Sequence, residues 1–247
     1  MPSFTNRPGM PSRSTWSMRL AGNWQKAGWR MKFNVLYIDP PWAYQVYSKK
    51  GRGRSAENHY RTMQTEDIYA LDIGGIAARD CTLFLWVTFP CLVQGLEALR
   101  RWGFTYKTLG FCWVKRCRKQ TDKWFWGLGF WTRANPEICL IATRGNPKRM
   151  SKAVHCIVDT PVERHSKKPD EVRRRIERLM GDVPRAELFA REVHPGWVCV
   201  GNEIDGMDIR DAIEQLKGKE VQDGFSGTDG SFDEAGGGGI REVTEGC

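Results

Sequence analysis

Asp39-Pro40-Pro41-Trp42 is the stretch of this 247-residue chain whose residue types could do chemistry together. It follows Phe33-Asn34-Val35-Leu36-Tyr37-Ile38, a run rich in apolar, β-branched and aromatic residues that reads as a buried strand. Pro40 biases Asp39 toward an extended backbone, and both prolines have φ fixed at about −65°, so the strand must stop at a stiff elbow. The elbow puts Asp39 and Trp42 at the carboxyl edge of a sheet, where open α/β folds bind ligands. An ionised Asp39 only accepts hydrogen bonds, as does the Pro40 carbonyl. Together they can hold the two hydrogens of an exocyclic –NH2 on a planar ring and aim its lone pair at an electrophile. Trp42 can stack on that ring, a contact of roughly 1–3 kcal/mol per base in nucleic-acid systems. The same four residues also make a proline-stiffened turn with a surface tryptophan, so the elbow alone does not decide its use.

Three other stretches could serve such a site. Lys49, Lys50, Arg52 and Arg54 alternate with glycines in a segment that reaches Tyr60; next to the elbow this reads as a loop closing over phosphates, or as an ordinary solvated loop. Residues 115–133 carry six cations against one acid, interleaved with Trp124, Phe125, Trp126 and Trp131. That mixture suits a single strand or an extruded base, with a hydrophobic lid as the alternative. Finally, Glu187-Leu188-Phe189-Ala190-Arg191 and Trp197-Val198-Cys199-Val200-Gly201-Asn202-Glu203 end in polar groups after apolar runs. Gly201 would let a ligand approach the backbone, or is a plain turn residue. No phosphate-binding Walker loop is present, and no Gly-x-Gly-x-x-Gly follows a strand.

The elements that must position these groups alternate in type. A helix is expected over 65–78, a strand over 81–87, a helix through Leu92, Leu96 and Leu99 ending at Gly103, and strands over 104–114, 136–143 and 154–159. Pro169, Asp170 and Glu171 suit the first turn of a helix. Val172, Ile176, Leu179 and Met180 form its buried stripe, Arg173, Arg174, Arg175 and Arg178 its outer face, and Gly181 its stop. Strands over 185–191 and 197–200 close the set. Strands alternating with helices imply a mostly parallel sheet with right-handed crossovers.

Composition sets the frame. The net charge is +9. Residues 1–31 hold five basic side chains and no acid, and are expected to be an arm with some helix over 15–27, docked by Trp16, Trp24 and Trp29 as an extra nucleic-acid contact or a packing extension. Residues 218–247 hold two cations, seven acids and nine glycines, and are expected to be disordered. Arm and tail cancel, so the body 32–217 itself carries the excess, which favours a polyanionic partner. There is no membrane-length apolar run and no secretory signal. The eight cysteines form no Cys-x-x-Cys pair and no zinc pattern, so reduced, buried thiols in a cytoplasmic protein and no metal site are expected.

Five blocks then occur in one order: Asp39-Pro40-Pro41-Trp42, Leu83-Phe84-Leu85-Trp86-Val87, Ser166-x-Lys168-Pro169-Asp170-Glu171, Glu187-Leu188-Phe189-x-Arg191, and Gly196-Trp197 followed by Gly201-Asn202-Glu203. Over about 33–210 the chain resembles the adenine-N6 methyltransferase family that includes the catalytic subunit of the human messenger-RNA methyltransferase, and within it the phage and bacterial DNA branch. The resemblance implies an α/β, Rossmann-like methyltransferase with a permuted motif order, using S-adenosylmethionine in a bacterial or phage-infected cell. Carried over, Asp39 and Pro40 would hold the target amine, with Pro41 and Trp42 completing the catalytic block and Trp42 and Tyr60 flanking the adenine. Asp39 and Lys168 would meet the cofactor's methionine end, Arg191 and Asn202 its ribose, and Glu203 the ribose's neighbourhood. Glu187 is substrate-linked or structural. His194 is displaced from the family's histidine, Glu203 replaces an amide, and the loop with Lys49, Lys50, Arg52 and Arg54 is more basic. With no zinc-finger segment ahead of the domain, target selection is expected from this domain or another chain, in a homo- or heterodimer. Two alternatives stand: a silent nucleic-acid-binding partner subunit, and a methyltransferase for RNA adenine, cytosine or a glutamine amide.

Overall fold

β-strand 1 (β1, Phe33–Ile38) lies between two parallel strands and is buried on both faces by the cores packed against the sheet, which is why its sequence is nearly continuous in apolar residues. The computed structural model describes residues 32–43, 63–127, 129, 131–164 and 166–218. The expected arm, the tail beyond 218, and the loop holding Lys49, Lys50, Arg52, Arg54 and Tyr60 lie outside those residues. The remaining strands are β2 (Ala77–Val87), β3 (Thr105–Arg116), β4 (Glu137–Arg144), β5 (Ile157–Pro161), β6 (Arg185–Leu188) and β7 (Val198–Val200). They form one sheet in the order β5-β3-β4-β2-β1-β6-β7. Among these strands of the described residues, only β4 runs against its neighbours, β2 and β3; the other strand pairings are parallel.

The helices are α1 (Thr65–Tyr69), α2 (Ile73–Ile76), α3 (Leu92–Arg101) entered through a 3-10 turn, α4 (Asp170–Met180), α5 (Asn202–Asp205) and α6 (Ile209–Leu216). Because strand side chains alternate, Leu36 and Ile38 face one core with Ile68, Ile73, Leu99, Trp102 and Ile213, while Val35 and Tyr37 face another with Trp86, Val172, Ile176 and Trp197. Helices therefore cover both faces of a mostly parallel sheet, the expected α/β, Rossmann-like class.

Several local expectations change. The helix expected over 65–78 is two short ones, since Asp72 caps the second by accepting the Gly75 N–H at 2.8 Å and two glycines follow Ile73. In α3 the buried stripe is Gly95, Ala98 and Leu99, while Leu96 is 37% exposed. Glycine at 95 is what lets the helix close on β2: a Cβ there would lie 2.5 Å from Val87 Cγ1. Gly103 and Gly181 end α3 and α4 with φ of 79° and 76°. Cys81, Cys91, Cys139 and Cys199 are buried free thiols, as expected, while the free thiols of Cys112 and Cys156 are partly buried and exposed. No helix among the described residues is long and apolar enough to cross a membrane.

Candidate active site at the carboxyl edge of the sheet

The elbow after β1 is locked by its own backbone. Trp42 N–H donates to the Pro40 carbonyl at 2.9 Å, and Met63 N–H donates to the Pro41 carbonyl at 3.0 Å. The Trp42 indole N–H reaches the Trp86 carbonyl at 2.9 Å, near the end of β2. Trp42 is consequently 6% exposed and part of the larger core. This corrects its expected role as an open stacking surface: the ring fastens the elbow to the neighbouring strand.

Asp39 emerges beside a row of alternating charges. Lys168 Nζ lies 2.7 Å from Asp39 Oδ2 and 3.3 Å from Glu137 Oε2, and Lys115 Nζ lies 2.5 Å from Glu137 Oε1. Lys168 arrives there because Pro169, in extended conformation, caps α4 and turns the chain just ahead of the helix. Glu137 arrives because β4 is antiparallel: its first residue stands at the edge where β1, β2 and β3 end, paired with Trp113. Asn135 squares the base by bonding both the N–H and the carbonyl of Lys115 at 2.9 Å. Glu137 and Asn135 are not among the sequence candidates, and Lys115 is expected only as one of the six cations of 115–133. Their residue types carry no motif, and the signal is the strand direction, which only the fold supplies.

The two carboxylates titrate apart. Burial pushes the Asp39 carboxyl up; Lys168 opposes that, Glu137 adds to it, and Arg191 lowers it. Burial also acts against the Glu137 anion, but two ammonium groups, Lys168 and Lys115, overcome it and hold that carboxyl down to about 2. Asp39 is thus the carboxylate of the pair that changes charge first as pH falls.

The ends of β6 and β7 stand beside this row. Arg191 Nε is 3.4 Å from Glu203 Oε1, and Asn202 is exposed at the start of α5. Gly201 is needed for a reason other than a ligand: a Cβ there would meet the Ala190 carbonyl oxygen at 2.4 Å.

Two expectations move inside the protein. Glu187 pairs in register with Tyr37 and is 7% exposed, clasped by Arg173 through Nε at 2.6 Å and Nη2 at 2.9 Å. Its carboxylate is therefore engaged by the fold, in keeping with the structural one of its two expected roles, and Arg173 belongs to the interior instead of the outer face of α4. His194 sits with Asp170 and Glu192, ligand atoms within 4.8 Å of one another. Those acids are already paired, with Lys167 at 3.3 Å from each and Arg173 at 2.5 Å from Asp170. Burial and the Arg173 charge hold the His194 imidazole below its ordinary value.

Residues 33–203 match the family model described as MT-A70. The chain is 33% identical over 183 residues to the N(6)-adenosine-methyltransferase subunit METTL3 of Danio rerio, covering 73% of this chain but 29% of that protein. It is 32% identical to the human catalytic subunit METTL3, of which it covers 30%. The type II methyltransferase M.MunI of a Mycoplasma species is 32% identical over 192 residues, covering 71% of this chain and 79% of that protein. The chain thus spans less than a third of the METTL3 relatives and most of the bacterial one. The Asp-Pro-Pro-Trp elbow, the lysine ahead of α4 and the polar ends of β6 and β7 all lie within or at the limits of the matched span, and the chain belongs to the MT-A70 family.

Proposed function

We propose that this protein transfers a methyl group from S-adenosylmethionine to the exocyclic N6 amine of adenine in nucleic acid, with DNA as the polymer. The observation that carries the reading is Asp39 on a proline-locked strand end, clasped by Lys168 within the row that Glu137 and Lys115 complete. DNA is put ahead of RNA by the branch resemblance, and by the coverage of 79% of a type II methyltransferase against 29% of a METTL3 subunit. The donor set suits the cofactor: Lys168 for its carboxylate, Asp39 for its ammonium, and Arg191, Asn202 and Glu203 for its ribose. When bound, S-adenosylmethionine supplies a methyl already activated on a sulfonium, so no covalent enzyme intermediate is needed.

The chain's own work is positioning and electrostatics. Asp39 and the Pro40 carbonyl accept the two amine hydrogens and point the lone pair. Trp42 and Trp86 keep the elbow from swinging. Lys168 and Glu137 set the Asp39 carboxylate, which can take up the proton shed after transfer.

A pH profile checks this division. Protonation removes the charge of Asp39 and turns one of its two acceptor oxygens into a donor, so kcat/KM falls as pH drops through a midpoint above the ordinary aspartate value of about 3.9. Lys168→Met removes the cation favouring the anion and moves the midpoint up. Glu137→Gln removes a like charge and a competitor for Lys168, and moves it down. An upward shift in Glu137→Gln would contradict the assignment.

The direct test is transfer of labelled methyl from S-adenosylmethionine to matched DNA and RNA oligonucleotides, digested to nucleosides. N6-methyladenine from DNA is the expected product. Label in cytosine or in protein, or cofactor binding without transfer to either polymer, would overturn the reading.

A further inference from the structure

Between β3 and β4 the chain makes two hairpins in succession, rooted on the site. Cys117 N–H donates to the Lys123 carbonyl and Phe125 N–H to the Lys115 carbonyl, both at 3.0 Å, closing the first; Gly127 and Ala134 pair across the second. Lys115 and Asn135, which close the base, are the residues that support Glu137.

This segment presents the indoles of Trp124, Trp126 and Trp131 outward. Trp124 is stacked under the Arg116 guanidinium, 3.4 Å from the ring centroid, and that guanidinium is itself held by Asp159 at 2.7 and 2.8 Å. Trp126 is 59% exposed and Trp131 105%. Trp131 also has φ of 66°, a left-handed backbone costly for a bulky side chain, which persists where the surroundings require it and concentrates at functional segments. Around the indoles Arg118, Lys119, Lys123 and Arg133 are exposed, against the single acid Asp122. Large rings held in water cost free energy unless they meet a partner. The charge around them selects a polyanion with flat apolar faces.

We infer that the double hairpin over 117–134 is a nucleic-acid clamp that stacks unpaired bases next to the target adenine on Trp126 and Trp131 and contacts phosphates through Arg118, Lys119, Lys123 and Arg133. The inference rests on the nucleic-acid reading above and assigns the contact that reading leaves open. It replaces the stacking role expected of Trp42, whose ring is buried. Stacking is tolerant of sequence, because every base has a π-face. The hairpin therefore supplies affinity for an unstacked strand and leaves sequence choice to other groups.

The test uses the full chain and a fluorescein-labelled oligonucleotide of mixed sequence, single-stranded or duplex, read by anisotropy. Trp126→Ala and Trp131→Ala each weaken single-strand binding roughly tenfold and duplex binding less. Replacing Arg118, Lys119, Lys123 and Arg133 together by serine flattens the slope of log affinity against log salt by about 3. Binding of S-adenosylmethionine and the melting temperature stay unchanged, because all six side chains are exposed. Unchanged oligonucleotide binding in every variant, with the parent binding and methylating, overturns the clamp alone. Failure of the parent to bind any oligonucleotide overturns the clamp together with the nucleic-acid reading. Variants that bind normally but convert a dimer to a monomer in sedimentation assign the rings to a second copy of the chain, and also overturn it.

Discussion

Asp39→Asn is expected to lower kcat/KM for methyl transfer by about 10²–10³-fold, the range seen when one positioned hydrogen-bonding group is removed from a reacting centre, while the protein stays folded. The substitution keeps the side chain's shape and exchanges an anionic acceptor for an amide, half of which donates. The fold survives because Lys168 retains Glu137 at 3.3 Å, so no buried ammonium is left unpaired. The linkage sign runs the same way. Burial raises the Asp39 carboxyl in the folded protein, so its contribution to stability is full below its unfolded pKa and is lost as pH rises through the folded value. At neutral pH the parent therefore carries the cost of an ionised, desolvated aspartate, and the amide relieves it. Stability near or above the parent's at neutral pH, with a large loss of turnover, is the expected pair of results. A variant with full turnover would remove Asp39 from the chemistry; one that unfolds would make the carboxylate structural.

The parts of this site that were legible in the sequence are those encoded within a few residues. A β-branched run stopped by two prolines gives a strand with a stiff end whatever surrounds it, and Asp39 is there. Proline followed by two acids starts a helix, and Lys168 stands just ahead of it. Glycines 103 and 181 end helices because only glycine adopts a positive φ without cost. What was not legible depends on which strands become neighbours. Glu137 reaches the site only because β4 inserts backwards between β2 and β3. Trp42 reads as a surface ring until Trp86 on β2 offers its indole N–H a carbonyl. Arg173 belongs to a run of three arginines that looks solvated throughout. Its side chain turns inward because Glu187, fourteen residues later, comes to lie under the helix on β6.

That inward turn has a large expected consequence. The side chains of Arg173 and Glu187 are 9% and 10% exposed and joined by two hydrogen bonds, with Tyr37 beneath them, the guanidinium 5.8 Å from its ring centroid. Burial works against the arginine's charge, but Glu187 more than offsets it, and the guanidinium's hold on its proton is strengthened. Arg173→Met leaves a buried carboxylate without its cation, and is expected to cost about 3–5 kcal/mol, the usual range for breaking a buried pair from one side. At roughly 2–4 °C per kcal/mol for a domain of this size, the melting temperature falls by about 6–20 °C. Adding Glu187→Leu removes the stranded charge, and the double variant is expected to regain most of the loss, since a buried ion pair replaced by apolar groups of similar volume is often close to neutral. Urea unfolding of the four members of the cycle measures this; additive losses would show that the two groups do not act as a pair. Activity below the melting range then separates support of the fold from placement of the site. Arg173 also ties Asp170, the first residue of α4, at 2.5 Å, and Lys168 lies two residues ahead of that helix. The double variant should be stable yet hold Lys168 less firmly over Asp39, so its kcat stays below the parent's after stability has returned.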